Sequence, residues 1–150
     1  MSFELSQRSL DRLEGVEDSL VVVVKRAIQL TNVDFGVSEG VRSVDRQKEL
    51  VAKGASKTMK SKHIDGLAVD LVAYINGRVS WELNLYDDIA DAMAAAAKEY
   101  QVTIRWGGAW HIDDIGTWQG KMEDAMTTYI DLRRSQGKRP FIDGPHFELM

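Results

Sequence analysis

The chain contains no cysteine. That excludes thiolate zinc sites, thiol catalysis and disulfides, and it leaves histidine, aspartate and glutamate as the available metal ligands. It does not fix a compartment, because a cysteine-free protein works equally well in the cytosol or the periplasm. Histidine is scarce as well, with three in 150 residues. Long apolar runs are missing: the longest strongly apolar stretch, residues 20–24, is far short of the roughly 20 residues of a membrane span. No basic region followed by an apolar stretch opens the chain, so no secretory signal is expected. Positive charge is not in excess either. The 19 Lys and Arg against 23 Asp and Glu leave a net charge of −4, so no nucleic-acid partner is expected. There is no repeat, linker or low-complexity tract. What remains is an ordinary globular composition, 44% hydrophobic and 28% charged. It is expected to form one domain over residues 1–150 and to act as a monomer.

Periodicity gives the elements. Helical spacing places Val16, Leu20, Val23, Val24, Ala27 and Leu30 on one side of a helix over 16–30, preceded by a short helix over 6–13. Ser43 can cap a helix over 44–53 that Gly54 stops. Further helices are expected over 87–100, with Ile89, Met93, Ala96 and Tyr100 inward, and over 122–132, with Met122, Met126, Tyr129 and Leu132 on one side. Strands are expected over 33–37, 67–72, 102–106 and at the end of the chain, with a hairpin at Asn76-Gly77. Residues 55–62 read as a loop whose lysines form a solvated face. The fold class is α+β: an antiparallel sheet of about four strands with packed helices.

One stretch carries chemistry. In residues 67–72 Leu67, Val69 and Leu71 point one way, while Ala68, Asp70 and Val72 point the other. A carboxylate between apolar neighbours needs a partner, since leaving it unpaired costs several kcal/mol. His63 lies seven positions upstream. The two converge either as ligands of a metal with an open coordination position or as a strand aspartate paired with an arginine beside a solvated histidine. The far end of the chain supplies a third candidate, His146, sharing a strand face with Glu148 and Met150. Asp143, three residues earlier, stands where a general base belongs, or is turn chemistry with Gly144.

These residues resemble a known family. Ser61-x-His63 with Asp70, and much later Asp143-x-x-His146-Phe147, resemble the zinc D,D- and L,D-peptidases of bacterial cell walls. That group includes the vancomycin-resistance D-alanyl-D-alanine carboxypeptidases and the phage endolysins that cleave L-alanyl-D-glutamate. The segment 39–43 with Arg46-Gln47, and Arg105-Trp106-Gly107-Gly108-Ala109-Trp110, fit the same group. The resemblance is closest to the small phage endopeptidases and is weakest over 110–141. It implies one zinc held by His63, Asp70 and His146, with Asp143 as the base. It also implies peptidoglycan stem peptide as substrate, and host lysis after release through a holin-type pore.

Arg42 is expected to bind substrate, the alternative being an ion pair with Glu39 or Asp45, and Ser61 to orient a ligand or touch substrate. The resemblance makes about 111–140 a helical insertion before the last strand. His111 within it is expected to be solvated or to support a ligand. The acidic residues Asp113, Asp114, Glu123 and Asp124 are a candidate regulatory calcium site. Relatives often carry an aspartate where Ala109 stands, and Asp113 or Asp114 is the expected substitute. A D-alanyl-D-alanine carboxypeptidase, a host remodelling peptidase and a non-catalytic zinc module, as in hedgehog proteins, are the competing readings. Asp143 argues against the last, since a structural site needs no base.

Overall fold

The computed structural model describes residues 3–56 and 61–150, so residues 57–60 of the expected loop lie outside the described residues. The helices are α1 (Gln7–Arg12), α2 (Asp18–Leu30), α3 (Val44–Ala52), α4 (Leu83–Tyr100) and α5 (Met122–Ser135). The strands are β1 (Asp34–Glu39), β2 (Ala68–Ile75), β3 (Arg78–Ser80), β4 (Ile104–Trp106) and β5 (His146–Leu149). A 3-10 turn at Ile115–Thr117 precedes α5. Among the described residues no helix is long and apolar enough to cross a membrane.

The class is α+β, as expected, and every strand pairing is antiparallel. The order is β1-β2-β5-β4. β2 is long enough to serve two neighbours in succession: β5 pairs with Ala68, Val69 and Asp70, and β3 pairs with Ala73, Tyr74 and Ile75. The sheet therefore has five strands, the fifth being the short return of the expected hairpin. Asn76 and Gly77 both have positive φ, 51° and 77°, which is what a tight two-residue hairpin requires. The outer edge of β1 is covered by α1: Ser9 Oγ accepts from Val37 N at 2.9 Å and Arg12 donates to the Val37 carbonyl oxygen at 2.9 Å. These contacts occupy edge groups that would otherwise invite pairing with another chain.

One face of the sheet makes the core. Val69, Leu71 and Ala73 of β2, with Phe35, Val37, Ile104, Trp106 and Phe147, pack against α2 and α4. Each fully buried large side chain there is worth about 1.5–3 kcal/mol. Three residues expected to point inward do not. Leu30, Tyr100 and Leu132 are 38%, 48% and 40% exposed, each in the last turn of a helix that outruns its packing surface. Ile28 and Ala125 are buried in their helices. α4 also begins at Leu83, earlier than its expected start at residue 87, with no side-chain cap to announce it. The opposite face of the sheet carries Asp70, His146, Glu148 and Arg105.

Candidate metal centre

Register brings the centre together. Asp70 of β2 lies directly across from His146 of β5, so their side chains are nearest neighbours on the open face. His63 reaches the same point from the turn before β2. That turn is knitted to the end of β1: Arg42 N donates to the His63 carbonyl oxygen at 2.9 Å, and His63 Nδ1–H donates to the Gly40 carbonyl oxygen at 2.9 Å. A Cβ on Gly40 would lie 2.0 Å from the Arg12 carbonyl oxygen, so only glycine lets this carbonyl sit where His63 needs it.

The hydrogen bonds select the ring nitrogens. The Gly40 bond leaves Nε2 of His63 as its free nitrogen. His146 Nε2–H donates to Glu148 Oε1 at 2.8 Å, which leaves its Nδ1. Both remaining nitrogens, His63 Nε2 and His146 Nδ1, lie 3.2 Å from Oδ1 of Asp70. One ligand atom from each of His63, Asp70 and His146 falls within 4.8 Å of the others. Among the described residues no other group of three or more His, Cys, Asp or Glu converges in this way. Two imidazoles and one carboxylate on a sheet face make a three-ligand set with room for a fourth position, the donor chemistry of a catalytic zinc site.

The charges are tightly coupled. Burial works to raise the Asp70 carboxyl, but hydrogen bonds and charge from His146 and His63 outweigh it and hold the group well below the usual carboxylate range. Burial opposes protonation of His146, yet Asp70 and Glu148 raise it to about 9. Burial also works against ionised Glu148, while His146, Arg105 and Lys62 lower it to about 2. Asp143 is raised, first by burial and then by the charge of Asp70, against the pull of His146, His63 and Arg42. The electrostatic influence of all three candidate ligands reaches its carboxyl. Gly107 makes room for it: a Cβ there would meet the Asp143 carbonyl oxygen at 2.1 Å. Gly107 therefore admits the chain's own 143–146 loop, while Gly108 lies against the Trp106 ring, 2.4 Å from where a Cβ would stand.

A family model described as phage L-alanyl-D-glutamate peptidase matches residues 1–150. The chain belongs to the phage L-alanyl-D-glutamate peptidase family. It is 32% identical to the L-alanyl-D-glutamate peptidase of Escherichia phage T5 over 154 aligned residues, covering 100% of each chain. It is 26% identical to the L-alanyl-D-glutamate peptidase of Listeria phage A118 over 106 residues, 69% of this chain and 37% of that one. Its fold matches the crystal structure of the Serratia marcescens L-Ala D-Glu endopeptidase ChiX. The TM-score is 0.75 and the identity 36%, over 99% of this chain and 91% of that one.

Family membership leaves the supporting side chains to be read from the geometry. Arg42 is only 9% exposed and grips Glu39 through Nε and Nη2, both at 2.7 Å, while Nη1 donates to Gln47 at 2.8 Å. Its Nη2 also stands 3.7 Å from Asp70 Oδ2. The ion pair with Glu39, open as an alternative from the sequence, is thus present, and the arginine lies on the strand aspartate as well. Ser61 Oγ accepts from His63 N at 3.2 Å and lies 3.4 Å from Arg42 Nη1.

Lys62 is not the solvated lysine the loop suggested. It donates to the Leu149 carbonyl oxygen and pairs with Glu148 at 3.2 Å. His111 is not solvated either: its ring stacks on Tyr129 at 5.7 Å and meets Trp118 edge-on at 6.5 Å. Both its ring nitrogens are buried without a hydrogen bond, and burial lowers its pKa. Tyr129 comes from α5, so that helix packs on the His111 ring. Ala109 is fully buried in the core. Asp114 does not replace an aspartate at the centre, because its Oδ1 accepts from Gly116 N at 3.0 Å and caps the 3-10 turn; Asp113 is exposed. Glu148 and the Gly40 carbonyl are the supports that sequence reasoning left without this role. The spacing of Glu148 from His146 already put them on one face.

Proposed function

We propose that the protein is a zinc endopeptidase hydrolysing the L-alanyl-D-glutamate bond of peptidoglycan stem peptides. One observation carries the reading: His63 Nε2, Asp70 Oδ1 and His146 Nδ1 converge on the open sheet face of a chain belonging to that family. The donor set fits zinc, with each histidine already held by its other nitrogen. When bound, zinc would polarise the scissile carbonyl and acidify a water. The protein's own groups do the rest. Asp143 takes the proton from the attacking water and returns it to the leaving amine; its raised, half-buried carboxyl suits a group that must both accept and release one. Glu148 fixes the orientation of His146. Arg42 steadies Asp70, and a substrate carboxylate would bind it by displacing Glu39. Ser61 orients His63 through its backbone N–H.

With phage relatives, the reading extends to lysis of a host cell, the chain reaching the wall as a monomer through a separate holin-type pore. Residues 1–150 act as one domain, with 111–140 as its insertion. The carboxylates of Asp113, Asp114, Glu123 and Asp124, the candidate calcium site, do not converge among the described residues. Calorimetry with millimolar calcium should show no binding heat there.

Elemental analysis tests the metal assignment. About one zinc per chain is expected, and His63→Ala, Asp70→Ala and His146→Ala should each lose metal and activity together. Full zinc occupancy in His146→Ala would place the metal elsewhere.

A further inference from the structure

Beside the centre, on the β4 side, stands an aromatic surface that the metal ligands do not require. The Trp110 ring lies 5.5 Å from that of His146, tilted by 34°. The Arg105 guanidinium sits 5.1 Å from the Trp110 centroid, and Arg105 is itself pinned by Glu148 at 2.9 Å. Phe141 stacks on Trp110 at 6.3 Å and 20°. These contacts hold the indole in place next to a reacting centre. Phe141, two residues before Asp143, is nevertheless 48% exposed. Its backbone N–H is tied to the Tyr129 hydroxyl at 3.3 Å, so the ring is presented from an anchored position.

The two sides of the centre differ in character. Strand order places Arg42 and Glu39 beyond β2 at the β1 side, and Trp110 with Phe141 beyond β5 at the β4 side. The substrate of the proposed reaction is asymmetric in the same sense. On the glutamate side of the scissile bond it carries carboxylates. On the alanine side it is uncharged, because the lactyl carboxyl of N-acetylmuramic acid is consumed in the amide to alanine. One residue, at most about 3.6 Å of extended chain, separates the bond from that lactyl group. A pyranose presents an apolar C–H face and an acetamido methyl, which pack well on a flat ring.

We propose that Phe141, backed by Trp110, binds the muramoyl sugar of the substrate. This makes the enzyme prefer glycan-attached stem peptides over free ones. The proposal rests on the L-alanyl-D-glutamate reading.

The test compares two substrates of the zinc-loaded full chain: a muramoyl peptide, and the same peptide N-acetylated and without sugar. Phe141→Ala is expected to raise KM for the sugar-bearing substrate roughly tenfold more than for the sugar-free one, the scale of one good stacking contact. Values of kcat should stay parallel between the substrates, and Phe141→Trp should restore the preference. Equal KM changes on both substrates, or no change on either, would overturn the sugar site. Because Phe141 is half exposed, its variants are expected to melt at the temperature of the unaltered chain. If the unaltered chain cleaves neither substrate, the bond assignment itself fails, and the sugar site with it.

Discussion

Single side chains decide what the centre can hold, and Glu148 is the most informative of them. It is 5% exposed and meets His146 at 2.8 Å, Arg105 at 2.9 Å and Lys62 at 3.2 Å. A carboxylate that fixes a ligand histidine typically contributes 10–100-fold to metal affinity. Glu148→Gln keeps the shape but weakens the acceptor, so zinc affinity, measured by chelator competition, should fall by roughly that factor. Unchanged affinity would mean that Glu148 serves only the fold. Asp143 should behave in the opposite way. Asp143→Ala is expected to keep its zinc and lose on the order of 10²–10⁴-fold in kcat. Near-normal turnover in the metal-loaded variant would move the proton transfer to another group. His63, Asp70, His146 and Asp143 could all be singled out from residue type and spacing. The Gly40 carbonyl could not, because a backbone acceptor leaves no mark in the sequence. The Arg42–Glu39 pair and an arginine on the strand aspartate each stood as alternatives in the sequence; that a single guanidinium serves both was visible only in the structure.

At the scale of elements, the strands were the more legible part. Alternation in residues 67–72 gave β2 its two faces, and the turn at Asn76-Gly77 gave the hairpin. Helix ends were less legible. α4 begins at Leu83, and its N-cap residue Glu82 makes no side-chain capping hydrogen bond; Leu85 and Tyr86 of its first turn reach the core. That helix also carries a strained charge. Asp87 is 6% exposed with Oδ1 unpartnered, and burial, then Glu123, Asp88 and Asp91, raise its pKa to about 6. A carboxyl raised in the folded state costs stability as pH climbs from its unfolded value near 3.8 through about 6, and the cost is constant above that. Asp87→Asn should therefore melt about 2–4 °C higher at pH 7.5 and show no gain at pH 4. An equal gain at both values would assign the effect to packing. The 143–146 loop depends on its neighbour in the same way. Gly107→Ala forces a Cβ onto the Asp143 backbone, with an expected cost of about 1–3 kcal/mol in thermal unfolding and a lower kcat.

For the whole molecule, the sheet order is the link between sequence and activity. Asp70 and His146 are 76 residues apart in the chain, yet β2 and β5 place them in direct register. The connecting segment can then vary without disturbing the centre. That is why the segment 111–140 was the least legible in function while the candidate ligands on either side of it stood out. The same arrangement ties fold and chemistry to one product, an endopeptidase cut in the stem peptide. Mass spectrometry of purified peptidoglycan after digestion by the zinc-loaded chain reads that product directly. New N-terminal D-glutamate is expected, absent after chelation and with His146→Ala, and regained when zinc is returned to the chelated protein. Release of free D-alanine without new D-glutamate N-termini would contradict it.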